Sequence, residues 1–178
     1  MMVKSKILIF LVIFVFAGCG YTTRGFLNPE YKRIYVEPVK NKIDITNETA
    51  EYNSYRSYPP LIENDFTRNL ISRFNLDGNL KTTNDKDKSQ LDISCEITDF
   101  LREVVRSDDN DNVEAYRLKI FYRFYLYDSQ GKLLKEVNLS TDKDYSLVGI
   151  YAKSEAKAIS ELLDDAARRV VESIVEEW

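Results

Sequence analysis

Apolar side chains follow a helical period between residues 61 and 74 of this chain. They recur at every fourth position and come directly after Pro59-Pro60, and a proline suits the first turn of a helix. The recurring residues are Ile62, Phe66, Leu70 and Phe74, with Leu61 and Ile71 beside them. The pattern predicts an amphipathic helix that ends near Asp77-Gly78.

Strict alternation of apolar and polar residues predicts two strands further along the chain. From 91 to 98 the odd-numbered residues are apolar and the even-numbered ones polar, which is typical of a strand with one face in water. Cys95 belongs to the apolar set and is expected to act as a small hydrophobic side chain of the core. The second strand has its apolar residues at even positions: Tyr116, Leu118, Ile120, Tyr122, Phe124 and Leu126.

The acidic segment between these two strands predicts a hairpin. Because the core residues are odd-numbered in one strand and even-numbered in the other, two opposed positions must have an odd sum. The register that pairs Glu96 with Arg123 meets this condition and leaves residues 107–112 as the loop. We therefore expect Glu96 and Arg123 to be cross-strand neighbours.

Shorter segments complete the predicted sheet. KRIYVEPV, from Lys32, is β-branched and aromatic and predicts a first strand that ends at Pro38, while 40–58 is polar and predicts a long loop. A short strand is expected near 80–83. A further strand follows the Asp-Ser-Gln-Gly turn and runs from Lys132 to about Ser140. Its inward residues are expected to be Leu133, Val137 and Leu139.

The last element is a long amphipathic helix, predicted over residues 152–178. Its apolar stripe is formed by Ala156, Ile159, Leu163, Ala166, Val170 and Ile174. The main elements follow the order β-α-β-β-β-α, which predicts an α+β fold with two helices packed on one face of a four-stranded mixed sheet.

Residues 1–18 have the order of a bacterial signal peptide. Lys4 and Lys6 precede an apolar run from Ile7 to Phe16, and the small residues Ala17-Gly18 follow it. This run is too short for a membrane-spanning helix, which needs about 20 apolar residues. We expect residues 1–18 to be removed and residues 19–178 to form a single domain.

Cys19 follows the small pair directly, an order that resembles the lipobox of bacterial lipoproteins. One departure is Phe16, which stands where leucine is usual. The resemblance implies that Cys19 carries acyl chains such as palmitate, and that Gly20 after it directs the protein to the outer membrane. Two alternatives stay open: a signal peptide cut elsewhere, or a cysteine that merely lies near the cut.

Composition excludes several classes of function. Removal of Lys4 and Lys6 changes the formal charge from −4 to −6, which makes nucleic acid an unsuitable partner. The chain has no histidine, so it lacks the base of Ser-His-Asp and Cys-His nucleophile systems and the commonest metal ligand. We expect no catalytic residues, no cofactor and no metal site. A hydrolase would have to use a carboxylate pair such as Asp99 and Glu103, and nothing in the sequence marks that pair.

The odd-numbered face of the central strand combines basic and aromatic side chains, as interfaces often do. We expect it to be a partner interface. The alternative is that acidic neighbours such as Glu96 pair with the basic residues and the tyrosines cover a solvated sheet. Tyr52, Tyr55 and Tyr58 pose the same choice. The face, hereafter the central stripe, consists of Arg117, Lys119, Phe121, Arg123, Tyr125 and Tyr127.

Four features together resemble the LptE family of lipopolysaccharide-assembly lipoproteins, partners of the LptD barrel. They are C-G-aromatic-x-x-R-G from Cys19, E-A-Y at 114–116, D-x-x-G-K at 128–132 and AKSEAKAISELLDDAARRVV from Ala152. The resemblance implies a non-catalytic outer-membrane lipoprotein that plugs and stabilises an LptD-like barrel and assists lipopolysaccharide assembly at the cell surface. The alternative is a periplasm-facing lipoprotein that docks on and regulates a cell-wall synthesis enzyme.

The resemblance also implies contact with lipopolysaccharide through Arg106 and Lys153. The predicted topology places both residues at one end of the sheet, near the positive end of the last helix, where the phosphates of lipid A would fit. The competing interpretation is that Asp108, Asp109 and Asp111 neutralise Arg106. Asp108-x-Asn110-x-Asn112 also begins like a calcium loop, but Val113 and Lys119 replace the glycine and glutamate that such a loop needs.

Overall fold

The computed structural model describes residues 31–43 and 59–175, which form one mixed sheet and two α-helices. The strands are β1 (Arg33–Val36), β2 (Lys40–Asn41), β3 (Lys81–Thr83), β4 (Leu91–Ser107), β5 (Val113–Asp128) and β6 (Leu133–Ser146). The helices are α1 (Ile62–Asp77) and α2 (Glu155–Val175), and a short 3₁₀ helix covers Lys86–Lys88. Both helices pack on the same face of the sheet, as predicted.

The strands neighbour one another in the order β3-β1-β4-β5-β6, and β2 pairs with β4 beyond the end of β1. β1 runs parallel to β3 and β4, whereas β4, β5 and β6 are antiparallel. The predicted α+β class is therefore confirmed, but the four-strand count is wrong because the described sheet has six strands. β3 matches the short strand expected at 80–83, and the two-residue β2 is too short to show any period.

The hairpin of β4 and β5 has the predicted register at its base. Glu96 lies opposite Arg123, and the two strands are joined by residues 108–112. Between Ile97 and Asp99 the register shifts by one residue at a β-bulge. A bulge reverses which residues face the core, and Phe100 is accordingly buried although the buried apolar residues before it in β4 are odd-numbered. Asp92 and Ser94, on the opposite face of β4, are buried as well, so the predicted solvated face is wrong at these two positions.

The core lies between the helices and the inner face of the sheet. The four predicted inward residues of α1 are all buried, and the ring of Phe66 meets the ring of Tyr122 edge-on, with centroids 5.3 Å apart. The Tyr122 hydroxyl bonds the Thr141 hydroxyl at 3.0 Å and donates to the Ala166 carbonyl oxygen at 3.3 Å. Leu61 is exposed, because it has a left-handed backbone (φ 61°) just before the helix begins.

Two predictions for the C-terminal half need correction. The last helix begins at Glu155, and Ala156 is exposed while Ala158 is buried on the inner side. In β6 the register against β5 shifts between Leu126 and Tyr127. Leu133 is therefore exposed, and its neighbour Leu134 packs against the core in its place.

The five-residue turns at 108–112 and 128–132 have the same geometry. Asp108 accepts hydrogen bonds from the backbone amides of Asn110 and Asn112, each at 2.9 Å. Asp128 does the same for Gln130 and Lys132. The fourth residue of each loop has a left-handed backbone: Asp111 (φ 62°) in the first and Gly131 (φ 78°) in the second.

This comparison predicts that Asp111→Gly stabilises the protein. A left-handed backbone costs a side-chain-bearing residue about 1–2 kcal/mol, although aspartate tolerates it better than most. Glycine also has greater freedom in the unfolded chain, which offsets part of this gain. We therefore expect the free energy of unfolding to rise by up to about 1 kcal/mol. Chemical denaturation of both proteins measures the difference. Gly131→Ala is the matched control and should destabilise, whereas stabilisation by both changes would contradict the explanation.

Candidate functional site

Arg106 and Lys153 lie at the same end of the sheet, where β4 ends, β5 begins and β6 leads into α2. Both contact Ser146: the Arg106 Nη2 donates to its hydroxyl oxygen at 3.4 Å, and the backbone amide of Lys153 donates to its carbonyl oxygen at 2.9 Å. We call this end the apex and define it as residues 104–107, 113–116 and 146–153. The structure thus brings together the two residues that the topology predicted to be neighbours.

Each of these two cations has a carboxylate partner. The Arg106 Nε donates to Glu114 at 2.7 Å, and the Lys153 Nζ donates to Glu161 at 2.8 and 3.0 Å. The hydrogen bond from Lys153 lowers the pKa of Glu161. The salt bridge of Arg106 is therefore with Glu114 of β5, while Asp108 uses its carboxylate to close the hairpin loop.

The apex is also rich in exposed apolar side chains. Ile150 is 91% exposed and Tyr151 is 78% exposed, in the loop between β6 and α2. Hydrogen bonds from the Leu147 amide to Glu114 at 2.8 Å and from the Ala152 amide to Gly149 at 3.1 Å hold this loop. Six of the nine exposed large apolar residues in the described part of the chain lie here: Val104, Val105, Leu147, Val148, Ile150 and Tyr151. Sequence reasoning missed this patch, because SLVGIY has no period.

Beneath the apex, an aromatic cluster supports the start of α2. The Arg102 guanidinium lies 4.9 Å from the centroid of Tyr116, whose ring stacks on Tyr145 at 5.8 Å. The same guanidinium pairs with Glu155 at 3.1 Å. The bulge in β4 turns Arg102 to this side of the sheet, so the cluster fixes the apex loop relative to the sheet.

The central stripe lies on the face of the sheet opposite the helices, hereafter the outer face. Arg117 makes a bidentate pair with Asp144, at 2.7 and 2.9 Å, which lowers the pKa of that carboxyl. The Lys119 ammonium lies 4.9 Å from the centroid of Phe121. Arg123 donates to Asn138, and Tyr125 stacks on Tyr127 with centroids 6.4 Å apart. The cations of the stripe are therefore engaged within the sheet.

Acidic residues run along both sides of the central stripe. β6 supplies one row and β4 supplies the other, each directly opposite stripe residues in the strand register. We call them the acidic rows: Glu136, Asp142 and Asp144 in β6, and Glu96, Asp99 and Glu103 in β4. Among the described residues these carboxylates outnumber the stripe cations Arg117, Lys119 and Arg123. Where β4, β5 and β6 lie side by side, the outer face therefore has more acidic than basic side chains, which the basic stripe alone did not predict.

A charged cluster lies on the outer face at the end of the sheet opposite the apex. Lys86 pairs with Glu37 at 2.7 Å and lies 3.6 Å from Asp92, with its ammonium 5.9 Å from the centroid of Tyr35. The hydrogen bond from Lys86 holds the pKa of Glu37 below its ordinary value. These contacts fasten the 3₁₀ helix to β1 and β4.

The described residues offer little reactive chemistry. Cys95 is buried and unbonded, as predicted, and burial raises the pKa of its thiol to about 12. Groups of three or more possible metal-ligating side chains do not occur in 31–43 or 59–175. Neither described helix is long and apolar enough to cross a membrane. Cys19, Gly20 and the tyrosines at 52, 55 and 58 lie outside the described residues.

Comparison with protein families gives a match over most of the chain. The family described as LptE, lipopolysaccharide-assembly, matches residues 31–175. A comparison with curated protein sequences finds no match.

Solved structures share the fold. A protein of Xanthomonas campestris (XCC0632) superposes with a TM-score of 0.53 at 13% identity, covering 86% of this chain and 92% of its own. The hypothetical protein CT253 of Chlamydia trachomatis has a TM-score of 0.50 at 11% identity, covering 82% and 98%. The rare lipoprotein B of Shewanella oneidensis has a TM-score of 0.46 at 16% identity, covering 79% and 92%. At these identities, the first two show that the fold is shared.

Proposed function

The chain belongs to the LptE family of non-enzymatic lipopolysaccharide-assembly proteins, and on that premise we propose that it plugs and stabilises an LptD-like outer-membrane β-barrel. In this proposal residues 1–18 are a signal peptide, and residues 19–178 are a single domain held on the outer membrane by acyl chains at Cys19. The family match over residues 31–175 is the observation that carries the proposal.

The outer face supports contact with a barrel. Neither helix covers it, and it presents aromatic and charged side chains that the strand register holds in fixed rows. The lumen of a membrane barrel is polar, so a polar face with aromatic residues suits it better than an apolar face would. The central stripe is thus the proposed barrel interface.

The apex supports contact with lipopolysaccharide. Its cations suit the phosphates of lipid A, and Ile150 and Tyr151 suit the acyl chains. Arg106 and Lys153 already pair with Glu114 and Glu161, so a bound phosphate must compete with these carboxylates. An anion that accepts two charge-assisted hydrogen bonds is a strong competitor for exposed pairs of this kind. In this proposal the apex binds both the phosphates and the acyl chains of one lipid A molecule.

A photo-crosslinking residue at position 150 tests this part of the proposal. In cells it should capture lipopolysaccharide, and the pair Arg106→Ala and Lys153→Ala should lower the yield at least about fivefold, because two charge-assisted contacts are lost. The same crosslinker at Leu76 is the control, since that residue is 73% exposed on α1. Equal yields at positions 150 and 76, or a yield that the double substitution leaves unchanged, would contradict lipid binding at the apex.

A further inference from the structure

The acidic rows decide what kind of surface the outer face can meet. Arg117 makes two hydrogen bonds with Asp144, and Arg123 is shared between Asn138 and Glu136, 3.8 Å away. Asp142 lies 3.9 Å from the Arg117 Nε, beyond hydrogen-bond distance. On the β4 side, Asp99 receives a hydrogen bond from the next backbone amide, that of Phe100. Across β4, β5 and β6, the six carboxylates of the acidic rows thus exceed the three stripe cations in number.

From this imbalance we propose that the outer face docks on a basic surface, one that carries lysine or arginine side chains opposite the acidic rows. The inference rests on the proposed function, in which that surface is the lumen wall of the partner barrel. Aromatic residues of the stripe then pack between the charged rows, and the cations of the wall pair with carboxylates that the chain itself does not neutralise. Such complementarity fixes the register of an interface and speeds association.

Other occupants fit this face less well. Lipid A phosphates are anionic, and the acidic rows would repel them, so the lipid site and the barrel site lie on different parts of the molecule. A second copy of this chain would bring two acidic faces together, and like charges across an interface cost several kcal/mol. Charge complementarity therefore favours a basic protein surface.

Charge reversal on one acidic row tests the proposal in the full acylated protein. We compare Glu136→Lys and Asp142→Lys, made separately, with Asp164→Lys, which makes the same change in net charge on the exposed side of α2. The readout is the barrel recovered per tagged chain in mild detergent. Each row variant should recover at least about fivefold less barrel than wild type, because a carboxylate that faces cations becomes a like charge. Asp164→Lys should match wild type.

A second measurement does not depend on the folding of any variant. Recovery of the barrel by the wild-type protein should fall when the ionic strength is raised from about 0.05 to about 0.5 M, because salt screens exposed charge pairs. The basic-surface inference is wrong if the wild type recovers the same amount of barrel at both ionic strengths and the row variants recover as much as Asp164→Lys. The proposed function would stand in that case. Wild type that recovers no barrel overturns both.

Discussion

Phe66→Ala is expected to lower the free energy of unfolding by about 3–5 kcal/mol, the usual cost of emptying a buried aromatic site. Phe66 is fully buried on α1, and its ring packs edge-on against Tyr122 of β5. Removing it leaves a cavity between the helix and the centre of the sheet, and it also loses an aromatic pair worth about 0.5–1.5 kcal/mol. Chemical denaturation followed by far-ultraviolet circular dichroism measures the change.

Leu76→Ala is the matched control on the same helix. Leu76 is exposed near the end of α1, so its truncation should change the free energy of unfolding by less than about 0.5 kcal/mol. Similar costs for the two substitutions would mean that α1 does not pack on the sheet through Phe66. A cost below about 1 kcal/mol for Phe66→Ala would contradict the assigned core.

Cys19→Ser is expected to abolish acylation and, once residues 1–18 are removed, to release the protein from the membrane completely. Each buried methylene of an acyl chain contributes about 0.8 kcal/mol, so two or three chains hold a protein on a bilayer for practical purposes permanently. Serine has no thiol to acylate, so this variant lacks the anchor that the proposed function assigns to Cys19. Fractionation after a high-salt wash, together with incorporation of a palmitate analogue, measures the effect.

Cys95→Ala is the control for that experiment, because Cys19 and Cys95 are the two cysteines of the chain. Cys95 is buried in the core, so its replacement should leave label incorporation and membrane retention unchanged. Label on the Cys19→Ser variant, or its retention in the washed membranes after residues 1–18 have been removed, would show that Cys19 is not the anchor.

The regular parts of the fold could be predicted because each has a period that burial imposes. Alternating apolar and polar residues in β4 and β5 predicted their register at the base of the hairpin. Apolar residues at every fourth position in α1 identified its buried side. The structure departs from these predictions where local backbone geometry interrupts the periodic pattern. The bulge after Ile97 turns Phe100 inward, and the shift at Leu126 exposes Leu133. Such bulges depend on how two strands fit together, which one strand's sequence does not show.

The parts of the candidate site that depend only on strand topology could be predicted from the sequence. Strand directions brought Arg106 and Lys153 to one end, but their partners Glu114 and Glu161 depend on side-chain reach. The acidic row of β6 was missed because its position beside the stripe requires the register of β6 against β5. That register aligns Asp144 with Arg117 and adds Glu136 and Asp142 on the same side of the stripe.

The most direct test of the central claim is a mild-detergent pull-down of the tagged, acylated protein, followed by mass identification of what stays bound. The proposed function predicts recovery of a large outer-membrane β-barrel at close to one copy per chain. Recovery of a cell-wall synthesis enzyme in place of a barrel, or of lipid alone, would contradict it, and the enzyme would support a tethered regulator.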